Sequence, residues 1–233
     1  MTERGRGAIV REATTLAIGP SSLGWEGDAL VVRLDELTAP LPSRIRGELR
    51  LHPQVLTSHR VALDAQARHA WQPIAPLARL EVDLASPRMR WRGQAYCDSN
   101  LGTAPLESAF RCWQWSRAST DSRTTVLYDV TRLEDAPLSF ALDIDRHGAV
   151  TPLEPPAGIE LPASRWGIAR ATRSESGARV LATLEDGPFY ARSLVASRLG
   201  GAPVTGVHES LSLERFRTAW VRWLLPFRMP RRG

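Results

Sequence analysis

Apolar and polar residues alternate with a period of two along most of the chain, the spacing of strands with one buried face. From Ser43 to Leu51 the apolar set Ile45, Leu49 and Leu51 interleaves with Arg44, Arg46, Glu48 and Arg50. From Arg79 to Leu84, Leu80, Val82 and Leu84 alternate with Arg79, Glu81 and Asp83. The same reading predicts strands at 29–34, 88–98, 110–115, 124–132, 138–143, 166–173, 179–185 and 189–197. Turn signals divide them: Gly19-Pro20, Glu26-Gly27-Asp28, Ala85-Ser86-Pro87, His147-Gly148, Gly187-Pro188 and Gly200-Gly201. Many short strands at near-regular spacing predict antiparallel barrels or sandwiches rather than βαβ units.

One helix is expected, at the C-terminal end. Leu213, Phe216, Trp220, Trp223 and Leu224 form a helical stripe, Ser210 or Ser212 can cap it, and Pro226 should stop it. Two readings of that stripe stay open: packing on the end of a barrel, or an interfacial anchor with its arginines toward anionic lipid. The Pro- and Gly-rich segment Thr151 to Ser164 suggests a linker, giving an N-terminal domain over 1–150 and a smaller C-terminal one over 151–233.

Composition narrows the class. A chain of 233 residues, 43% of them hydrophobic, can bury a substantial core and is not disordered. No apolar run reaches the roughly 18 residues of a spanning helix, and Thr2 to Arg11 has no apolar signal core, so a reducing cytoplasmic compartment is expected. Two cysteines, Cys97 and Cys112, make no disulfide framework or metal signature. All 30 basic residues are arginine, which suits phosphate partners but also arises throughout a proteome from a GC-rich genome. Aromatics are not interleaved with arginine along one groove, so no nucleic-acid partner is expected.

Nucleophile elbows, phosphate loops and zinc-protease motifs are missing, and His52, His59, His69, His147 and His208 show no ligand spacing. No metal and no cofactor are expected. What remains are pairs two residues apart: His69 with Trp71, Tyr96 with Asp98, and Trp113 with Trp115. On a strand each pair points to one face. Tyr96 and Asp98 share the parity of Arg88, Arg90 and Arg92, so that face turns to solvent on a simple reading or into a lumen in a ligand-binding barrel. The pattern does not choose. Asp98 to Gly102 also reads as a turn, the two Trp as core, and His69 as a satisfied buried imidazole.

The segments Tyr96-Cys97-Asp98-Ser99-Asn100-Leu101-Gly102 and Leu106-Glu107-Ser108-Ala109-Phe110-Arg111-Cys112-Trp113-Gln114-Trp115 resemble the signature of bacterial carotenoid 1,2-hydratases. Collinear strings extend the resemblance over nearly the whole chain, among them 42–47, Leu184 to Ser193, His208 to Leu213 and Leu225 to Arg231. It implies an all-β, lipocalin-like architecture of two barrels or sandwiches in series. It implies a hydro-lyase that adds water to the terminal double bond of acyclic carotenes such as neurosporene or lycopene, without a cofactor. A peripheral location on the cytoplasmic side of a membrane is implied too, as are other carotenoid-pathway enzymes as partners. The residues implicated in the family correspond to His69, Trp71, Tyr96 and Asp98, and family members begin some tens of residues earlier. Gln114 stands where an acidic residue is common, and Cys97 where an aliphatic one is expected.

The expected chemistry follows. Protonated Asp98 delivers a proton to carbon 2, and the cation at carbon 1 rests on Trp71, Tyr96 and Trp113 or Trp115. Water then attacks carbon 1, with His69 orienting Asp98 or the water. Arg88, Arg90 and Arg92 should stay clear of Asp98, because a guanidinium would hold it ionised. The competing expectation is a non-catalytic, lipocalin-like carrier of an apolar isoprenoid.

Overall fold

A computed structural model describes residues 3–38, 41–228 and 231–232. In chain order its elements are β1 (Glu3–Arg4), β2 (Ile9–Arg11), β3 (Thr15–Ile18), β4 (Ser21–Glu26), β5 (Ala29–Leu37), β6 (Arg44–Val55), β7 (Val61–Ala62), β8 (His69–Ser86) and β9 (Arg88–Gly102). There follow β10 (Phe110–Ser119), β11 (Arg123–Arg132), β12 (Leu138–Asp145), β13 (Val150–Leu153), β14 (Gly158–Leu161), β15 (Arg170–Arg173), β16 (Arg179–Asp186), β17 (Tyr190–Leu199) and β18 (Ala202–Ser212). The chain closes with α1 (Leu213–Phe216), α2 (Ala219–Arg228) and β19 (Arg231–Arg232). The nearly all-β expectation holds.

Contacts divide the chain into two compact units: Met1–Leu56 with Ala75–Cys97 and Arg222–Gly233, and Thr57–Ile74 with Asp98–Val221. The long strands β8 and β9 each pass from one unit to the other, at Ile74/Ala75 and at Cys97/Asp98. The Pro-rich segment near 151–164 lies inside the second unit, where it supplies β13 and β14.

In the first unit an antiparallel sheet runs β2-β3-β4-β5-β6-β8, with β9 on β8. The alternation read at 43–51 and 79–84 becomes the β6–β8 ladder, with Leu49 opposite Val82 and Leu51 opposite Leu80. Leu51, Ala75 and Ala78 are its buried centre, and Leu30, Leu80, Ala95 and Cys97 pack on them. Cys97 thus does an aliphatic residue's work as a small apolar side chain. The β9 arginines are taken up by carboxylates of the preceding strand: Arg90 pairs with Asp83, and Arg92 Nε lies 3.5 Å from Glu81.

The second unit holds a seven-stranded antiparallel sheet, β13-β12-β11-β10-β18-β17-β16, and the hairpin β14–β15. One residue row crosses it: Phe140, Tyr128, Trp115, Glu209, Arg192 and Glu185 are successive cross-strand partners. Direct partners share a face, so this face grades from aromatic to charged. The opposite face meets the β14–β15 segment. There Gln114 accepts from Ser210 Oγ at 2.6 Å and donates from Nε2 to the Ala169 carbonyl at 3.2 Å, a donor role a carboxylate cannot fill. Arg170 donates to Ser193 Oγ and to the Pro162 carbonyl, and Arg173 pairs with Asp129.

Three expectations change. The sheets are open, and no closed barrel exists among the described residues. The edges of the second sheet explain why: β13 carries Pro152, which lacks a donor, and β16 has two register shifts that interrupt its ladder. Asp98 to Gly102 is not a turn but the end of β9. The expected single helix is two, parted at Arg217–Thr218, and α2 runs past Pro226 to Arg228. Ser212 caps α1, its hydroxyl accepting from Arg215 N–H at 3.2 Å. The stripe is not one buried face either: Leu213 and Val221 are buried, while Trp220 and Trp223 are 43% and 67% exposed.

Candidate active site

His69 and Trp71 open β8 with the alternating burial of a strand embedded on one side, and both are essentially inaccessible. The preceding turn explains why His69 stays there. Asp64 accepts the Ala67 amide on its carbonyl and the His69 amide on Oδ1, and Arg132 Nε clamps the turn through the Leu63 carbonyl at 2.8 Å. The ring then spans two acceptors, with Nδ1 3.2 Å from Asp64 Oδ2 and Nε2 2.9 Å from the Ala104 carbonyl. Desolvation pushes the Asp64 carboxyl up, but the His69 amide, the His69 ring and Arg68 outweigh it and hold it below the usual range. Both ring nitrogens thus face acceptors of the frame, Asp64 on one side and the Ala104 carbonyl on the other. His69 is therefore committed to the frame of the site, contrary to the expectation that it addresses Asp98. Gly102 completes that frame: a Cβ there would meet His69 Cδ2 at 2.8 Å.

Trp71 is the residue that reaches Asp98. Its Nε1–H donates to Asp98 Oδ2 at 2.7 Å. Indole is a donor only, so Oδ2 accepts whether or not the carboxyl carries a proton. Trp71 lies edge-on to Tyr128 at 5.8 Å and tilted against Phe140 at 5.8 Å, and those two rings stack at 5.4 Å. Trp113 extends the cluster by its contact with Tyr128 at 6.3 Å, and Phe110 joins Trp113 at 6.2 Å and the His69 ring at 5.0 Å. A register shift between Phe110 and Cys112 lets Phe110 and Trp113, three positions apart, share a face.

Burial pushes the Tyr128 phenol far above its usual range, and the charges of Asp98 and Glu209 push the same way. Tyr128 therefore stays a neutral hydroxyl, donating to Asn100 Oδ1 at 3.5 Å. Trp115 is buried two positions beyond Trp113, opposite Tyr128. Tyr96 is half-buried on β9, in the first unit, two residues before Asp98.

Of the expected residues, the second unit thus joins Trp71 and Asp98 directly, with Trp113 reached through Tyr128 and His69 through Phe110 and Trp113. Tyr128, Phe140, Phe110 and Asp64 are members that the spaced pairs did not mark. Tyr128 carried one signal, the apolar parity Val126-Tyr128-Val130, which distinguishes core from surface but not site from core. No group of His, Cys, Asp and Glu able to hold a metal is found among the described residues.

The family described as carotenoid hydratase CrtC matches residues 1–233. The acyclic carotenoid 1,2-hydratase of Thiocapsa roseopersicina is 52% identical over the whole chain and that of Rubrivivax gelatinosus 47%; the chain spans 58% of the length of each. The enzyme of that name from Cereibacter sphaeroides is 38% identical, with 84% of its length covered. Among solved structures, an AttH protein of Nitrosomonas europaea superposes with a TM-score of 0.58 at 13% identity, over 89% of this chain and 72% of its own. CghA, solved with Sch210972, gives 0.52, also at 13%, over 88% and 69%. These two likenesses concern the fold alone, which is lipocalin-like. The chain belongs to the carotenoid hydratase family.

Proposed function

We propose that the protein hydrates the terminal carbon 1–carbon 2 double bond of acyclic carotenes, such as neurosporene or lycopene, to the tertiary 1-alcohol, with side chains alone. The observation that carries this reading is the carboxyl of Asp98, fixed by the Trp71 indole at the edge of an aromatic cluster. Protonating an isolated trisubstituted alkene needs an acid and a surface that tolerates a carbocation. The π pair takes the proton from the Asp98 carboxyl and forms the carbon 2–hydrogen bond. Positive charge then develops at carbon 1, where faces of Trp71, Tyr128 and Phe140 each contribute about 0.5–2 kcal/mol. A water lone pair forms the carbon 1–oxygen bond, and the oxonium sheds its extra proton. Tyr96, two positions from Asp98 on the same strand, is assigned to substrate contact, and Trp113 with Trp115 to the apolar wall.

The substrate dissolves in bilayers, and a peripheral membrane location is part of this reading. It is supported by the exposed Trp220 and Trp223 on α2, with the exposed Arg222 between them. No helix among the described residues is long and apolar enough to span a bilayer.

The test is turnover of lycopene in liposomes in deuterated water, with Asp98→Asn in parallel. Product with one added water and deuterium at carbon 2, lost by about 10²-fold or more in the variant, is expected for a general acid. Carotene binding without product would instead establish the carrier. Product from both proteins would remove Asp98 from its role.

A further inference from the structure

The reaction as written needs a base for the proton that the captured water sheds, and the aromatic face of the second sheet presents a second carboxylate. Glu209 on β18 lies directly opposite Trp115, which lies directly opposite Tyr128. Glu209 is thus two strand spacings, about 10 Å at the backbone, from Tyr128 and on the same face. Trp115 lies between the two on that face, and the charge of Glu209 acts on the Tyr128 phenol across this interval.

Glu209 is built in. Its Oε1 accepts from Arg192 Nε at 2.9 Å, and its side chain is only 25% exposed. Arg192 is its direct cross-strand partner, and its guanidinium carbon lies 5.6 Å from the centre of the Tyr190 ring. Tyr190, opposite Leu211, is diagonal to Glu209, and its buried hydroxyl makes no hydrogen bond of ordinary geometry among the described residues while lying within reach of the Glu209 carboxylate and the Arg192 guanidinium. Burial and then the charge of Glu209 push that phenol well above its usual range, so it remains a hydroxyl. A buried hydroxyl and a buried-edge carboxylate together offer a water one donor and one acceptor.

We infer that Glu209 is the base of the hydration: it orients the attacking water together with Tyr190 and takes its proton as the carbon 1–oxygen bond forms. The inference rests on the hydratase reading and divides its labour between two carboxyls. Asp98 goes from acid to carboxylate, and Glu209 from carboxylate to acid. Exchange with solvent restores both, so the sum is alkene plus water to alcohol. Arg192 is a positioning residue, which keeps the carboxylate aimed along the row.

A cation without an oriented water has another exit: it loses a proton from carbon 2 or from a terminal methyl and returns to an alkene. The experiment therefore measures partition as well as rate. Full-length wild type, Glu209→Gln, Glu209→Asp and Tyr190→Phe receive lycopene in liposomes in deuterated water. Mass spectrometry and chromatography then give the alcohol, deuterium in recovered carotene, and the isomer with a terminal methylidene. Glu209→Gln keeps an acceptor for Arg192 and should lower alcohol at least tenfold, while the ratio of deuterated or isomerised alkene to alcohol rises at least tenfold. Glu209→Asp should recover part of the alcohol, and Tyr190→Phe should shift the ratio in the same direction by a smaller factor. A merely structural role would reduce all products together. An unchanged ratio in both Glu209→Gln and Tyr190→Phe overturns the inference, whatever the rates. Absence of alcohol from the wild type is a separate failure, overturning the hydratase reading and this one with it.

Discussion

The bond between Trp71 and Asp98 can be measured as a coupling energy, and its size reports which form of Asp98 the fold holds. Trp71→Phe removes the donor and keeps most of the ring; Asp98→Ala removes the acceptor. Trp71 is inaccessible, so no solvent replaces the lost partner of its indole N–H. Asp98→Ala alone should then cost about 1–3 kcal/mol, the penalty of a buried unpaired donor. Trp71→Phe should cost a similar amount plus lost ring contact with Tyr128 and Phe140. The double variant counts the shared bond once, so the single losses exceed the double loss by the coupling. A bond to a neutral acid should give about 0.5–1.5 kcal/mol, and one to a carboxylate about 1.5–3 kcal/mol. Hydration needs the acid, so the coupling from urea unfolding of the four proteins should fall in the lower range; a value in the upper range would count against Asp98 as the proton donor. Additive losses, within about 0.3 kcal/mol, would show that the bond is not made and would remove the link on which the site rests.

Other outcomes follow from separate parts of the molecule. His208 is fully buried, with Nε2 donating to the Ala171 carbonyl at 2.7 Å. Desolvation, helped by Arg170, lowers its pKa below the ordinary histidine value. A base whose folded value is depressed gives stability that is complete above the unfolded value, near 6.5, and is lost as pH falls toward the folded one. Unfolding free energy should therefore drop by up to about 1.4 kcal/mol per pH unit below about 6.5. His208→Gln should flatten that slope in urea titrations between pH 7.5 and 5.5, and an unchanged slope would assign it elsewhere. Gly102→Ala should cost about 1–3 kcal/mol by driving a methyl into the locked His69 ring, read as a lower thermal midpoint; an unchanged midpoint would mean that the ring gives way freely. Gln114→Glu should cost about 1–3 kcal/mol, because it replaces the donor to Ala169 with an acceptor; equal stability would refute that assignment. Trp223→Ser should weaken liposome co-sedimentation by about 1–2 kcal/mol, the interfacial burial of a side chain that is 67% exposed. Unchanged sedimentation would count against α2 as an anchor.

Period-two alternation by itself settled the class of fold, because a strand with one buried face must repeat every two residues whatever its partners are. It also located β6, the Arg79–Leu84 part of β8, and β11. It placed His69 with Trp71 and Tyr96 with Asp98 on shared faces, since that depends only on strand geometry. It could not say which face of β9 is enclosed, because Asp98 shares its parity with Arg88, Arg90 and Arg92. The tertiary structure separates them: the carboxylates of β8 take up Arg90 and Arg92, while Trp71, from 27 positions upstream, covers Asp98. The turn reading of 98–102 was a statement about local preference, and β9 overrides it with ladder hydrogen bonds to β8. Closure of the sheets was equally illegible, since it depends on whether distant edge strands meet. The aromatic cluster and the row from Phe140 to Glu185 exist only through register: six residues far apart in sequence become neighbours because each strand pairs in one phase. A slip of one residue would turn any of them to the other face, and no single strand carries the information that fixes that phase.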